Sequence, residues 1–222
     1  MRNFDEKKLV SKLDKILRKE FGTNLAFHEF SAGYGIADLV FAPNFSFKKN
    51  LLNRKPLTSF NSLKILLTLD DQKPYKLSEL IDTFPHLTLS EIKKQLKTLI
   101  NSKYLQKVSK DLYVKTLVKE QMNPINKIIA VEVKLNDHKN GLMQARRYQY
   151  FADESYLAIL KESEKNINFD EFNRYNIGLI LFDNSKGTIE IKHPEPMNFH
   201  FENTVSLFAK EMMMNRFIQV SF

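Results

Sequence analysis

Apolar residues recur at helical spacing from the start of the chain. Phe4, Leu9, Val10, Leu13, Ile16, Leu17 and Phe21 fall on one face, and Gly22 follows as a stop signal, which predicts a helix over 4–21. "LAFHEF" (25–30) and "IADLVFA" (36–42) read as strands joined by the turn "SAGYG" (31–35). Residues 43–58 mix Asn, Pro and basic residues without a period and read as a connector. Beyond it, "SFNSLKILLTL", "KLSELIDTF" and "TLSEIKKQLKTLINSKY" carry helical periods. The third opens on a capping box in which Thr88 or Ser90 precedes Glu91. "YLQKVS" and "DLYVKT" then predict two short strands around a tight turn at Lys110-Asp111.

After residue 118 strands and helices alternate. "KIIAVEVKL" is a strand, "NGLMQARRYQYFADE" a helix, "SYLAILK" a strand and "NFDEFNRYN" a short helix. "IGLILFDNSKGTIEIKH" is a hairpin turning at 184–187, and "TVSLFAKEMMMNRF" is a last helix. The run Met212 to Met214 belongs to helix packing and surface, since thioether metal sites want partners absent here.

One strand breaks its own pattern. In "KIIAVEVKL", Ile129, Val131, Val133 and Leu135 line one face and Ile128 and Ala130 begin the other, so burial on both faces is expected until Glu132 and Lys134 arrive. A buried charge costs several kcal/mol, as an order of magnitude, unless it is paired or holds a metal. Asp38 sits in the same kind of setting, sharing a face of "GIADLVF" with Ile36 and Val40. Carboxylates converging from neighbouring strands make a hard-cation site that leaves positions for water and phosphate.

The triplet Glu-x-Lys itself is cheap, for the chain contains four. Glu6/Lys8 and Glu91/Lys93 fall on predicted helices, where residues two apart do not face each other, and read as surface charges. Glu190/Lys192 reads as the solvated face of a half-covered strand. Only Glu132/Lys134 interrupts an apolar strand.

Composition narrows the chemistry. With no Cys, disulfides, thiolate nucleophiles and cysteine zinc sites are excluded, and with five His any metal is better held by oxygen. Net charge is +8, which suits a polyanion such as nucleic acid, although a soluble protein without such a partner can carry the same excess. No apolar run approaches the roughly 20 residues that span a bilayer. The N-terminus lacks the apolar core of a signal peptide, so no membrane partner and a cytoplasmic protein are expected.

Three helices and a hairpin over 57–117 resemble a winged helix-turn-helix module. In that family the third helix enters the major groove and the hairpin flanks it. Residues 57–117 carry 10 Lys against 6 Asp and Glu, and residues 88–117 alone carry 7 against 2, so the excess lies on the third helix and the hairpin. The expected phosphate contacts are Lys93, Lys94, Lys97, Lys103, Lys107 and Lys110. A protein-interaction domain with a solvated lysine face has the same composition, and the third helix lacks Arg, the best guanine reader.

"GIADLVF", "AVEVK" and "QARRY", in that order, resemble the PD-(D/E)xK nuclease superfamily, whose core is a helix, a three-stranded meander, a helix and a further strand. Asp38 matches the first half of the motif and Glu132 and Lys134 the second, with Ala37 where the name has Pro. Asp38 and Glu132 stand 94 positions apart, an excess over a simple hairpin that the winged-helix-like segment accounts for. The resemblance covers about residues 1–42 and 118–195. It implies an α/β, restriction endonuclease-like core of a mixed sheet flanked by helices, split as 1–56 and 118–222 around an insert at 57–117.

Gln144 and Tyr148, four apart on one helical face, resemble the Gln-x-x-x-Tyr signature of the exonuclease branch; packing over the sheet would produce the same spacing. Lys139, Arg146 and Arg147 are nearby candidates for phosphate contact. The resemblance implies a Mg²⁺- or Mn²⁺-dependent hydrolysis of DNA phosphodiesters, with Asp38, Glu132 and the Val133 carbonyl as metal ligands and Gln144 in the catalytic set. Lys134 would orient or deprotonate the attacking water, with a pKa lowered by nearby cations. Tyr148 joins the DNA contacts, Glu29 is a further ligand candidate, and His28 is structural. Duplex DNA is the expected partner, and a homodimer or larger nucleoprotein assembly the prior expectation. A non-catalytic DNA-binding regulator and a protein-assembly factor are the competing classes.

Overall fold

The computed structural model describes residues 5–45, 54–71, 73–116, 125–196 and 204–221. Phe4, half of the expected connector (46–53) and the boundary at 117–118 lie outside them. The chain forms two compact units, one of Met1–Phe45 with Ile125–Ser206 and one of Ser46–Pro124 with Leu207–Phe222.

The first unit begins with α1 (Glu6–Glu20), which Asp5 caps by accepting the Lys7 N–H. Leu9, Leu13 and Leu17, four apart, bury its inner face. β1 (Ala26–Ser31) and β2 (Ile36–Phe41) follow as an antiparallel hairpin.

The second unit runs through α2 (Phe60–Thr68), β3 (Pro74–Lys76), α3 (Leu77–Thr83) and α4 (Leu89–Asn101), then the hairpin β4 (Leu105–Ser109) and β5 (Leu112–Lys115). Thr88 caps α4 and Glu91 completes the box. Ile92, Leu96 and Leu99 turn inward, while Lys93, Lys94 and Lys97 face solvent. β3 was not expected. Its three residues pair with β5, beginning at a proline that an edge strand tolerates, and are too short to show a period.

The chain returns to the first unit with β6 (Ile129–Lys134), α5 (His138–Tyr148), β7 (Glu154–Leu160), a 3-10 turn at Lys161–Asn166, α6 (Phe169–Tyr175), β8 (Gly178–Asp183) and β9 (Thr188–Lys192). The result is a mixed six-stranded sheet in the order β1-β2-β6-β7-β8-β9, with β6, β7 and β8 parallel. Helices cover both faces. Leu9, Leu13 and Leu17 pack on Ile129, Val131, Val133 and Tyr156 on one side, and Leu142, Ala145 and Phe172 pack on Leu157, Ile159 and Leu181 on the other.

α5 stops at Tyr148 rather than continuing to Glu154. Asp153 ends it, because its carboxylate accepts the Ile128 N–H at 2.6 Å and its own N–H reaches the Ile128 carbonyl, drawing the chain into β7.

The last helix, α7 (Thr204–Ser221), departs from the expected division, which gave all of 118–222 to the nuclease-like core. From Leu207 onward it belongs to the second unit. The reason is Glu211, 2% exposed, whose carboxylate is held by the Arg54 guanidinium at 2.9 Å, the Leu57 N–H at 2.8 Å and the Tyr104 hydroxyl at 2.7 Å. Met213 and Met214 are buried beside it in sequence.

Removing one member of a buried ion pair costs about 3–5 kcal/mol. Glu211→Ala should therefore lower the stability of the second unit by about that amount in urea unfolding followed by circular dichroism. A midpoint equal to that of the parent protein would show that the anchor contributes nothing.

Candidate active site

The β2–β6 ladder pairs Phe41 with Ile129, Val40 with Ala130 and Leu39 with Val131. One residue further it would set Asp38 opposite Glu132. There the backbone pairing ends, and the Asp38 side chain accepts the Val133 N–H through Oδ2 at 2.8 Å. A side-chain bond stands where a ladder bond would have been.

α5 fills the opening. The Tyr148 hydroxyl lies 2.7 Å from the Ile36 carbonyl of β2 and 2.5 Å from Glu132 Oε2 of β6. One hydroxyl proton faces two acceptors, so it serves one of them at a time. Glu132 is 1% exposed, and its Oε1 lies 2.7 Å from Lys134 Nζ. The expectation for "KIIAVEVKL" is met in this respect, since the charge is buried in the strand and paired.

Two residues that sequence reading missed complete the arrangement. Glu6, in the first turn of α1, brings Oε1 to 3.6 Å from Lys134 Nζ, although it read as a surface charge. Gly141 lies where α5 crosses the lysine stem, and a Cβ there would come within 2.7 Å of Lys134 Cγ and 2.8 Å of Leu157 Cδ1. A glycine is unfavourable inside a helix, and close approach is a reason to keep one. The lone Gly in "NGLMQARRY" was the available signal; for Glu6 there was none, because its partner is distant in sequence.

The electrostatics follow from burial. Desolvation raises the Asp38 carboxyl above its ordinary range, against the lowering by the Val133 N–H and Lys134, with Glu6 and Glu29 adding to the rise. Desolvation also raises Glu132, against its hydrogen bonds from Lys134 and Tyr148, with Asp38 adding to the rise. For Lys134 burial pushes downward, but the hydrogen bond and charge of Glu132, with Glu6 and Asp38, outweigh it and hold the ammonium above its usual value. The expected lowering of Lys134 is tied to bound cations, and the protein groups by themselves act in the opposite direction. Tyr148 is pushed up by burial and by Glu132, so it stays a neutral phenol.

The other expected site residues are distributed as follows. Val133 lies between the two charged residues with its side chain buried in the core. Gln144 is half-buried one turn before Tyr148. Tyr148, expected against DNA, is 1% exposed with its hydroxyl engaged by Glu132 and Ile36, so it works from inside the cluster. Arg146 and Arg147 are exposed at the end of α5, Arg146 stacking 4.4 Å over Tyr175, and Lys139 is exposed near the start of α5. Lys93, Lys94, Lys97, Lys103, Lys107 and Lys110 are all exposed on the second unit. Glu29 stands between the β1–β2 pairs His28–Leu39 and Phe30–Ala37, facing Asp38, in a left-handed conformation (φ 47°) rare for such a residue in a strand. His28 pairs with Asp14 at 3.1 Å. Glu190 and Lys192 pair outward, with Lys161 and Glu164.

Comparison with known proteins returns no match: no family model fits the chain, and no curated protein or solved structure matches it. The site therefore rests on its own geometry. Among the described residues no three His, Asp or Glu side chains converge on one metal position. Asp38 and Glu132 supply two carboxylates from neighbouring strands, the hard oxygen donors that Mg²⁺ or Mn²⁺ prefer, and these cations keep several waters and need few protein ligands. No helix among the described residues is long and apolar enough to cross a membrane.

Both carboxyls have pKa values raised in the fold, so each contributes stability that is present when protonated and lost as pH rises through the raised value. Asp38→Asn with Glu132→Gln removes that loss. The variant should gain in urea midpoint relative to the parent as pH rises from about 4 to about 7. A variant midpoint that falls relative to the parent's over this range would contradict the assignment.

Proposed function

We propose that the chain is a metal-dependent nuclease of the PD-(D/E)xK type that hydrolyses DNA phosphodiester bonds. The observation that carries this reading is Glu132, 1% exposed in a strand, paired to Lys134 and set against Asp38 where β2 and β6 part. A stability-driven strand would place an apolar residue there. The order α1, β1, β2, β6, α5, β7 follows the helix, meander, helix and strand of that superfamily's core and supports the same reading. The cluster also lies at the carboxyl end of a parallel strand, where open α/β sheets commonly bind ligands.

In this proposal Asp38 and Glu132 hold the cation, with Val133 adding its carbonyl. A cation held there would supply Lewis acidity to the scissile phosphate and lower the pKa of a water bound to it. Lys134, held protonated by Glu132, Glu6 and Asp38, places a positive charge for the phosphate oxygens as negative charge builds on them. Tyr148 would steady the Glu132 carboxylate, with the Ile36 carbonyl as the alternative acceptor of the same proton, while Gly141 lets α5 lie on the Lys134 stem. The attacking water would lose a proton to solvent as its oxygen bonds to phosphorus, the P–O bond to the leaving sugar would break, and the departing oxygen would take a proton back from solvent.

The second unit would act as a winged-helix-like module on duplex DNA. The helices α2, α3 and α4, the β4–β5 hairpin and the six exposed lysines from Lys93 to Lys110 support that role. With lysines but no arginine on α4, phosphate contact rather than base reading is its chemistry.

Purified protein incubated with plasmid and linear DNA in Mg²⁺ or Mn²⁺ should cleave. Asp38→Ala and Glu132→Ala should abolish cleavage, Lys134→Ala should slow it about 10²–10⁴-fold, and Glu190→Ala with Lys192→Ala should leave it unchanged. Cleavage surviving the first two changes would sink the mechanism; salt-sensitive binding without cleavage would favour a non-catalytic DNA binder.

Replacing Lys93, Lys94 and Lys97 with Ala should weaken duplex binding across sequences. The slope of log K against log salt should fall by about 0.9 for each phosphate that α4 no longer neutralises. An unchanged slope in fluorescence anisotropy would remove α4 from the interface.

A further inference from the structure

Among its described residues the first unit exposes four large apolar side chains, and three of them lie on or next to the elements that carry the carboxylate cluster. Tyr34 (38% exposed) and Tyr150 (55% exposed) stack with ring centroids 4.6 Å apart and planes 23° from parallel. Ile36, 60% exposed, shares a face of β2 with Asp38 and offers its carbonyl to Tyr148. The fourth, Phe169, lies elsewhere under the Lys192 ammonium at 4.0 Å. The tyrosine pair is tied closely to the site. Tyr150 follows Tyr148 by two residues, and a Cβ on Gly35, next to Tyr34, would lie 3.2 Å from the Tyr148 ring.

Resting on the nuclease reading, we propose that Tyr34, Tyr150 and Ile36 form a stacking platform for an unpaired base beside the scissile phosphate, so that the preferred substrate is single-stranded DNA at the site of cleavage. Exposed aromatic rings next to cations are how proteins hold single strands, because every base has a π-face and the backbone follows the charge. Here the charge is Lys134 in the cluster and the exposed Arg147 one residue before Tyr148. Base pairs in an intact duplex keep their faces stacked on one another, and the platform would gain nothing from them. A second copy of the chain is the poorer occupant, since three side chains fall well short of the roughly 800 Å² per partner of a stable interface.

The chain contains no Trp, so Tyr150→Trp gives a single reporter in the full-length protein. Titration with a short oligothymidylate, with Ca²⁺ replacing Mg²⁺, should quench its emission, and an oligo(dA)·oligo(dT) duplex of equal length should leave it unchanged. In anisotropy with the same probes, Tyr34→Ala with Tyr150→Ala should bind the single strand about tenfold more weakly. Tyr34→Phe with Tyr150→Phe should bind it as the parent does, because rings stack without the hydroxyl. Equal quenching by the duplex, loss of binding in the phenylalanine variant, or an emission change that follows protein concentration without DNA would each overturn the platform. The two readings separate. Metal-dependent cleavage that needs Asp38 and Glu132 but shows no quenching rejects the platform alone, whereas quenching by the single strand without any cleavage rejects the nuclease alone.

Discussion

Everything in the first unit's site depends on where β2 and β6 stop pairing. If the ladder ran one residue further, Asp38 and Glu132 would face each other across it with no backbone group to share. Instead the Val133 N–H turns to the Asp38 carboxylate, and the gap is wide enough for the Tyr148 hydroxyl to reach both strands. Burying Glu132 at such a point costs several kcal/mol as an order of magnitude, and Lys134 and Tyr148 together offset it. That requirement reaches outward to Gly141, which α5 must keep for the lysine stem to pass, and to Glu6, which sets a second acid near the ammonium. Glu29 and Asp137 flank the region with positive φ, the kind of backbone cost that folds retain near functional groups.

A buried glutamate is not by itself a site, and the same chain contains the counterexample. Glu211 is as well buried as Glu132, and burial raises its carboxyl too. Its partners are Arg54, Tyr104 and the Leu57 amide, which together enclose it inside the second unit. Glu132 has a different surrounding: its cationic partner is 18% exposed at a strand end, and a second carboxylate stands close enough to raise its pKa. Full enclosure makes an anchor. Glu132 stands beside a second acid and a partly exposed lysine where β2 and β6 part, which is the surrounding a cation-binding proposal needs.

What the sequence disclosed follows the range of the interactions involved. Period-two and period-3.6 patterns placed α1, β1, β2, β6 and α4, because those elements bury one face or both and the burial is written locally. Thr88 with Glu91 was legible for the same reason, as a bond between residues three apart. The end of α5 was not, since Asp153 ends it through Ile128, twenty-five positions earlier in the chain. Nor was the allegiance of α7, decided by Glu211 against Arg54 across 157 positions. Within the site, Asp38, Glu132 and Lys134 announced themselves as charges inside apolar strands. Glu6 sat on an amphipathic helix, where a charge is ordinary, and Tyr148 looked like a surface contact because its spacing from Gln144 says nothing about which way the ring is buried.

The four Glu-x-Lys triplets show why spacing needs surroundings before it means chemistry. On helices the two residues diverge, and each finds other partners: Glu91 caps α4 through the Thr88 N–H, and Glu6 turns to Lys134. On the exposed edge strand β9 they share a face, yet Glu190 and Lys192 are drawn apart by Lys161 and Glu164, since solvent lets long side chains choose. In β6 that choice is gone. Glu132 has no water to turn to, so it takes Lys134 at 2.7 Å and the Tyr148 hydroxyl, and both charges are fixed where the pairing of β2 with β6 ends. The pair is fixed by confinement, and the confinement comes from the apolar residues on either side of it.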